Sequence, residues 1–451
     1  MSNERSGFSS RLGFVLATAG SAVGLGNIWR FPYLAAKYGG GTFLLTYLIL
    51  TLTFGFSLMI TEVALGRKAG TSAIRAFGHF SKKHTFIGYL TTIIPFIIFP
   101  YYCVIGGWVT KYALISLQGG IHNAASDTFF TGFISKSAEP MICVLVFLIA
   151  TTVVVAGGVK GGVERVSTIM MPVLIVLLIG VSLFCITRPG AMAGVAYYLK
   201  PSLKGFGPTT ILAALGQLFY SMSLAMGIMI TFGSYMPKKA DLEKSVTQVE
   251  IFDTGIAMLA GLMIIPAVFA FSGGNPETLQ AGPSLMFITL PKVFASMGLG
   301  TVTGIVFFVL VLLAALTSAV SLMETSVSTI MDELHWGRKG SCALMAVVMI
   351  VLGTASSMGY GLLDFIRIFG MNFLDFFDFI TNSVMMPLAA LATCILILRV
   401  VGIDGMVKEI EQSSPFRRKK LYRVFIKYFA TICLIIILLS SIANVLGIIS
   451  M

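Results

Sequence analysis

Long apolar runs separated by short polar connections dominate the chain. Runs long enough to cross a bilayer fall at about 11–38, 41–67, 86–117, 141–157, 166–187 and 209–236. Five more fall at 247–272, 294–330, 340–356, 375–400 and 422–448, which predicts eleven transmembrane helices in all. Hydrocarbon offers no water to unpaired backbone groups, so each crossing has to satisfy its own amides and carbonyls as a helix. The third and eighth runs are longer than the bilayer requires and are expected to tilt or project.

Two runs depart from a plain apolar helix. The first contains GSAVGLGN (Gly20–Asn27), with three glycines and an asparagine at its middle. The sixth contains YSMSLAMG (Tyr220–Gly227), with two serines and a glycine mid-span. Small residues let membrane helices pack closely, and that alone is one reading. The other is that both helices unwind at corresponding places of two five-helix halves and line a midplane binding site. Polar and glycine character together in both spans favours the second reading. An unwound turn frees carbonyls that suit a sodium ion, while a broken half-helix presents amides that suit a carboxylate. An amino-acid zwitterion fits such a pair.

Composition agrees with the membrane assignment. Of 451 residues, 57% are hydrophobic and 11% charged, against roughly 25% charged in soluble domains. The excess of 31 Lys and Arg over 19 Asp and Glu reads as basic cytoplasmic loops rather than a nucleic-acid surface. Basic residues collect before the first span, between the second and third, and after the sixth, eighth and tenth, whereas Gln118–Glu139 carries only Lys136. This places the N-terminus inside and Met451 outside. No signal peptide is expected at the N-terminus, and the short terminal segments point to a prokaryotic plasma membrane. The six cysteines form no CxxC pair and read as small apolar fillers. The four histidines lie in polar connections, away from any catalytic arrangement.

Other polar residues lie deep in apolar spans. Asp253 sits in EIFDTGIAML, and an intramembrane carboxylate is by default a functional one. Thr317 and Ser318 sit in LAALTSAVSL. Taken alone, such hydroxyls more often bond back to the preceding turn.

The stretch GSAVGLGNIWRFPYLAAKYGGGTF (Gly20–Phe43) resembles the signature of the neurotransmitter:sodium symporter family, in its bacterial LeuT-type branch. TEVALGR (Thr61–Arg67), PYYCVIGGW (Pro100–Trp108), GVERVSTIMMP (Gly162–Pro172), GQLFYSMSLAMG (Gly216–Gly227) and LTSAVSLMETSVS (Leu316–Ser328) extend the likeness over nearly the whole chain. The resemblance implies an all-α fold of two inverted five-helix repeats, with the first and sixth helices unwound midway. The parts are then a cytoplasmic segment 1–10, repeats 11–187 and 209–400, a basic loop 401–421 and an eleventh helix 422–451. A twelfth helix, present in many members, is missing from the pattern.

By motif position the resemblance implies two sodium (Na+) sites. The first takes Ala22, Asn27, Ser221 and Asp253 with the substrate carboxylate, and the second Gly20, Val23, Ala314, Thr317 and Ser318. The substrate carboxylate meets amides around Leu25 and Gly26 and the Tyr102 hydroxyl. Its amino group meets carbonyls near Ala22, Tyr220, Ser221 and Ser223. Val23, Ile98, Tyr220, Met226, Ser318 and Leu322 line the side-chain pocket, which implies a hydrophobic or aromatic L-amino acid. Gly24 stands where amine carriers of the family tend to have an aspartate, so the substrate is expected to bring its own carboxylate. Asp253 replaces an asparagine of chloride-dependent members, which implies chloride independence. It also leaves room for its protonation on the return step.

The gates implied are Arg30 with Asp378 (or its neighbour Asp375) outside, and Arg5 with Asp332 inside. Gly162 and Pro172 resemble a motif for local unwinding of the fifth span, and Glu62 is expected to support the unwound sixth. Glu324 receives no role. A non-transporting sensor and a proton-coupled carrier remain as rivals. An enzyme is excluded for want of a nucleophile–base pair. Oligomeric state stays open.

Overall fold

A computed structural model describes residues 7–202, 206–274 and 282–445. Among them nine helices are long and apolar enough to cross a membrane. The first span is a tenth crossing, made of Arg11–Ala22 and Gly26–Lys37 with a bend of 56° between them. Ten crossings are thus present among the described residues, against eleven expected. The sixth run forms two shorter helices, Pro208–Ser221 and Ile228–Ser234, and both flagged spans are broken.

The two breaks have different local causes. In the first span the backbone turns extended at Val23 (ψ 101°) and resumes in a widened turn from Gly26 to Arg30. In the sixth, Ser223 (φ 51°), Ala225 (φ 61°) and Gly227 (φ 73°) all take left-handed conformations. Only glycine adopts that region freely, so Ser223 and Ala225 hold it because their surroundings enforce it.

The third span is 83% buried over its apolar window and the eleventh only 22%, which puts the third at the centre and the eleventh at the lipid edge. The third packs on the eighth and fourth, and the first lies against the seventh and eighth. The second span crosses the second half of the sixth, Ile228–Ser234, through facing glycines. A Cβ on Gly66 would fall 1.9 Å from the Ile230 carbonyl oxygen, and one on Gly233 would fall 2.3 Å from that of Val63. Small residues let the two backbones touch where lipid supplies no hydrophobic drive between helices.

Two boundaries differ from expectation. The run 294–330 contains two elements, because Leu285–Ala295 forms its own segment and the eighth helix runs Gly300–Leu334. A turn with Leu299 at φ 65° separates them, and an apolar pattern does not register a turn when both sides are apolar. The basic loop 401–421 is also partly ordered. It contains the helix Ile403–Ile410, tied down by Arg67, whose Nε lies 2.9 Å from Glu409 Oε1. Arg418 lies 3.9 Å over the Phe56 ring and 3.2 Å from Glu250 Oε2, fastening the start of the eleventh span to the second and seventh.

Gly66→Ala is expected to cost about 1–3 kcal/mol by overpacking this crossing. Thermal unfolding of the purified protein checks it, and an unchanged melting temperature would mean that the two backbones do not meet there.

Candidate functional site

The breaks of the first and sixth spans face each other across the third and eighth. Between them lies a small cavity. Twelve of the thirteen residues expected at the substrate site line it: Ala22, Gly24, Leu25, Gly26, Ile98, Tyr102, Tyr220, Ser221, Ser223, Met226, Ser318 and Leu322. Val23 is off the wall, its carbonyl accepting from Ser318 Oγ at 3.2 Å. Ser21 and Ile228 also line the cavity and were not anticipated. Both flank an unwound stretch, and adjacency to those stretches was the signal that could have found them.

One end of the cavity is polar. The Tyr102 hydroxyl is buried without a hydrogen-bond partner among the described residues. It lies beside Ser318 and the Leu25 amide. A side chain at Gly24 has no room there, since a Cβ would fall 2.6 Å from Ser318 Oγ and 3.1 Å from the Tyr102 oxygen. At Gly26 a Cβ would run into the Tyr220 ring at 2.4 Å. The two glycines thus let the broken backbone lie against the cavity wall. Ile98, Met226, Ile228 and Leu322 add apolar side chains to the wall.

Beside the polar end, oxygens converge on the Asn27 amide. Its Nδ2 donates to Asp253 Oδ1 at 2.7 Å, Ser221 Oγ at 3.0 Å and the Asp253 carbonyl at 3.3 Å. Asn27 Oδ1 accepts from the Gly24 amide at 3.0 Å, and Ser221 Oγ donates to Asp253 Oδ1 at 2.8 Å. The Tyr47 hydroxyl approaches Asp253 Oδ2 at 3.4 Å. All these partners are neutral, and among the described residues no Lys or Arg reaches Asp253. A fully buried carboxylate with only neutral donors is a place that draws a cation.

A second oxygen cluster lies where the first half-helix ends. Ser318 Oγ reaches the carbonyls of Ser21, Val23 and Gly20 at 3.1, 3.2 and 3.4 Å. Thr317 instead bonds back to Ala314 and Leu313 at 3.1 and 3.2 Å, as a lone helical hydroxyl does. The pair therefore splits: one hydroxyl serves its own helix and the other collects freed carbonyls. Gly20 completes the group, its Cβ position 3.3 Å from Thr317. The donor set is oxygen only, which suits a hard monovalent ion.

The expected gates are placed as follows. Arg30 and Asp378 both line a second cavity, together with Asp375 and Tyr220. Arg30 lies 5.3 Å over the Tyr220 ring, and no ion pair joins it to Asp378 in this structure. Asp378 accepts from Tyr101 at 3.1 Å and Asn382 at 2.6 Å, whereas Asp375 belongs to its own helix cap through Asn372 at 2.7 Å. Asp332 accepts from the Ser72 amide at 2.8 Å, and Arg5 lies outside the described residues. Glu62 does meet the sixth span, accepting from the Ala225 amide at 2.8 Å within the left-handed stretch. Glu324 forms a bidentate pair with Arg338 (2.6 and 3.0 Å) and accepts from the Tyr235 hydroxyl at 2.7 Å.

Comparison with known proteins gives this geometry a family. The profile described as the Sodium:neurotransmitter symporter family matches residues 5–131 and 129–448. An uncharacterized sodium-dependent transporter of Bacillus subtilis is 35% identical over 450 residues, covering 98% of each chain. A sodium- and chloride-dependent taurine transporter of Homo sapiens is 27% identical over 470 residues, covering 92% of this chain and 74% of that one. The crystal structure of MhsT in complex with L-phenylalanine superposes with a TM-score of 0.87 at 38% identity, covering 97% of this chain and 100% of the other. The fold is therefore the LeuT type, and the chain is a multi-pass membrane transporter that belongs to the sodium:neurotransmitter symporter family.

Proposed function

We propose that this symporter imports a hydrophobic or aromatic L-amino acid with sodium at two sites, by alternating access and without chloride. The observation that carries the reading is the cavity itself. It sets the unpartnered Tyr102 hydroxyl and the Leu25 amide in one cavity with Asn27 and Ser221 of the Asp253 cluster, and lines it also with apolar side chains. The L-phenylalanine bound to MhsT, at 38% identity, supports the same substrate class here.

In this reading the substrate carboxylate bonds to Tyr102 and the free amides of the first break. It also completes the coordination of a sodium held by Ala22, Asn27, Ser221 and Asp253. The second sodium takes the Gly20, Val23 and Ala314 carbonyls with Thr317 and Ser318. Its charge replaces the hydrogen bond that Ser318 makes to those carbonyls, holding the first span against the eighth. The fixed negative charge of Asp253 does beside the first sodium what chloride does elsewhere, acting at short range in a dry site. Sodium entry is driven by its gradient and by the membrane potential, worth about 2.3 kcal/mol per charge per 100 mV. Closure over Arg30, Asp378 and Tyr220 commits the substrate, and release follows on the side where the N-terminus lies, the cytoplasm of a prokaryotic cell. Arg5 and Asp332 are the proposed inner pair.

Three outcomes test this. Competition against labelled phenylalanine separates the recognised groups: unlabelled L-phenylalanine displaces it, and phenethylamine, which has no carboxylate, does not. Displacement by the amine would remove the carboxylate argument. Tyr102→Phe lowers affinity by about 10–100-fold, the worth of a hydrogen bond to a charged group. Retained affinity would place the carboxylate elsewhere. Replacing chloride by gluconate leaves uptake by the parent protein unchanged, and loss of uptake would deny Asp253 its compensating role.

A further inference from the structure

The fifth span (Val159–Ile186) packs on the eighth (Gly300–Leu334), and the two leave an apolar groove between them. Val176, Gly180 and Phe184 line it from the fifth span, and Leu299, Val302 and Val306 from the eighth and the turn before it. It shares no lining residue with either cavity described above. Val176, Leu299 and Val302 are 68%, 71% and 56% exposed, so the groove opens outward, where a bilayer puts acyl chains. Its one hydroxyl, that of Thr303, is spent on the Leu299 carbonyl at 3.1 Å. Gly180 keeps the groove open, since a Cβ there would meet no atom within 4 Å.

A fixed positive charge borders this groove. Arg188, just beyond the end of the fifth span, holds its guanidinium 4.1 Å over the Phe184 ring. Nε donates to the Phe184 carbonyl at 3.3 Å and Nη2 to the Thr187 hydroxyl at 3.1 Å, so the group is anchored over a residue of the groove wall. These are its polar partners among the described residues, and none of them is a carboxylate. The guanidinium therefore keeps donors to spare at the end of a membrane helix. A slot between spans is filled by lipid, because a void forfeits dispersion contact on both of its walls. An apolar slot alone would not choose among lipids. The guanidinium supplies a choice, since its fork matches the oxygens of a phosphate.

We propose that an anionic phospholipid binds here, with one acyl chain in the groove between the fifth and eighth spans and its phosphate on Arg188. The chain supplies contact area and the phosphate supplies selectivity. A choline lipid fits the groove equally well but brings its own cation near the guanidinium, so it binds more weakly. Basic side chains beside apolar slots between helices are how membrane proteins hold particular headgroups. The site is independent of which solute the transporter carries.

Native mass spectrometry of the full chain in detergent tests this, with phosphatidylglycerol or phosphatidylcholine of the same acyl chains added in steps. The parent is expected to take its first phosphatidylglycerol about tenfold more tightly than its first phosphatidylcholine, the worth of a hydrogen bond to a charged group. Arg188→Gln removes that preference by weakening phosphatidylglycerol alone, and Arg188→Lys restores part of it. Gly180→Trp fills the groove and weakens both lipids by a similar factor. A parent that binds the two lipids alike overturns the proposal, as does a preference that survives Arg188→Gln. Parent-level binding by Gly180→Trp would take the acyl chain out of the groove and overturn it too. Excess glycerol 3-phosphate leaves the bound lipid in place, and displacement by it would mean that the headgroup alone is recognised, against the proposal. Both substituted positions lie at the protein surface, so the variants are expected to melt near the parent temperature. Should Gly180→Trp fail to fold, the two Arg188 variants decide by the same criterion.

Discussion

Backbone groups released in the middle of a dry protein have to be satisfied, and this constraint organises the centre of the molecule. Breaking the first span at Val23 and the sixth between Ser221 and Ile228 leaves amides and carbonyls without helical partners. Hydrocarbon offers none. The protein meets part of the demand with side chains: Glu62 takes the Ala225 amide, Gln217 donates to the Gly26 carbonyl at 3.0 Å, and Ser318 gathers three carbonyls. In the proposed reading, two cations and one zwitterion meet the rest. Binding and the integrity of the broken helices are then the same set of interactions, which is the physical basis for coupling them.

Charge follows the same logic. Three buried carboxylates of the interior have partners of different kinds. Glu324 has the Arg338 guanidinium, Glu250 has Arg418, and Asp253 has only neutral donors. The first two are paired within the chain and act as fasteners between its spans. Of these three, Asp253 alone has no cationic partner among the described residues, and it lies against the cavity wall through Asn27 and Ser221.

Much of this was legible in the residues. Apolar run length gave the crossings and glycine with polar residues mid-span gave both breaks, because these features act locally. Twelve of the thirteen residues that motif likeness named for the substrate line the cavity. What escaped was tertiary. The left-handed Ser223 and Ala225 look ordinary in a sequence, since the strain is imposed by neighbours such as Glu62. Glu324 found its meaning only in Arg338, fourteen residues away beyond a helix end. The divide between Thr317 and Ser318 depends on which hydroxyl faces the first span, and adjacent residues on a helix look alike on paper. The turn at Leu299 was hidden because both of its flanks are apolar.

The central claim is that cations complete a site which otherwise lacks counter-charge. Equilibrium binding of a labelled amino-acid panel to the purified protein, in sodium and in matched potassium, tests it most directly. The account predicts saturable binding of a hydrophobic or aromatic amino acid in sodium and none in potassium. Equal binding in the two salts would contradict it, leaving Asp253 to a proton and the oxygen clusters to structure alone.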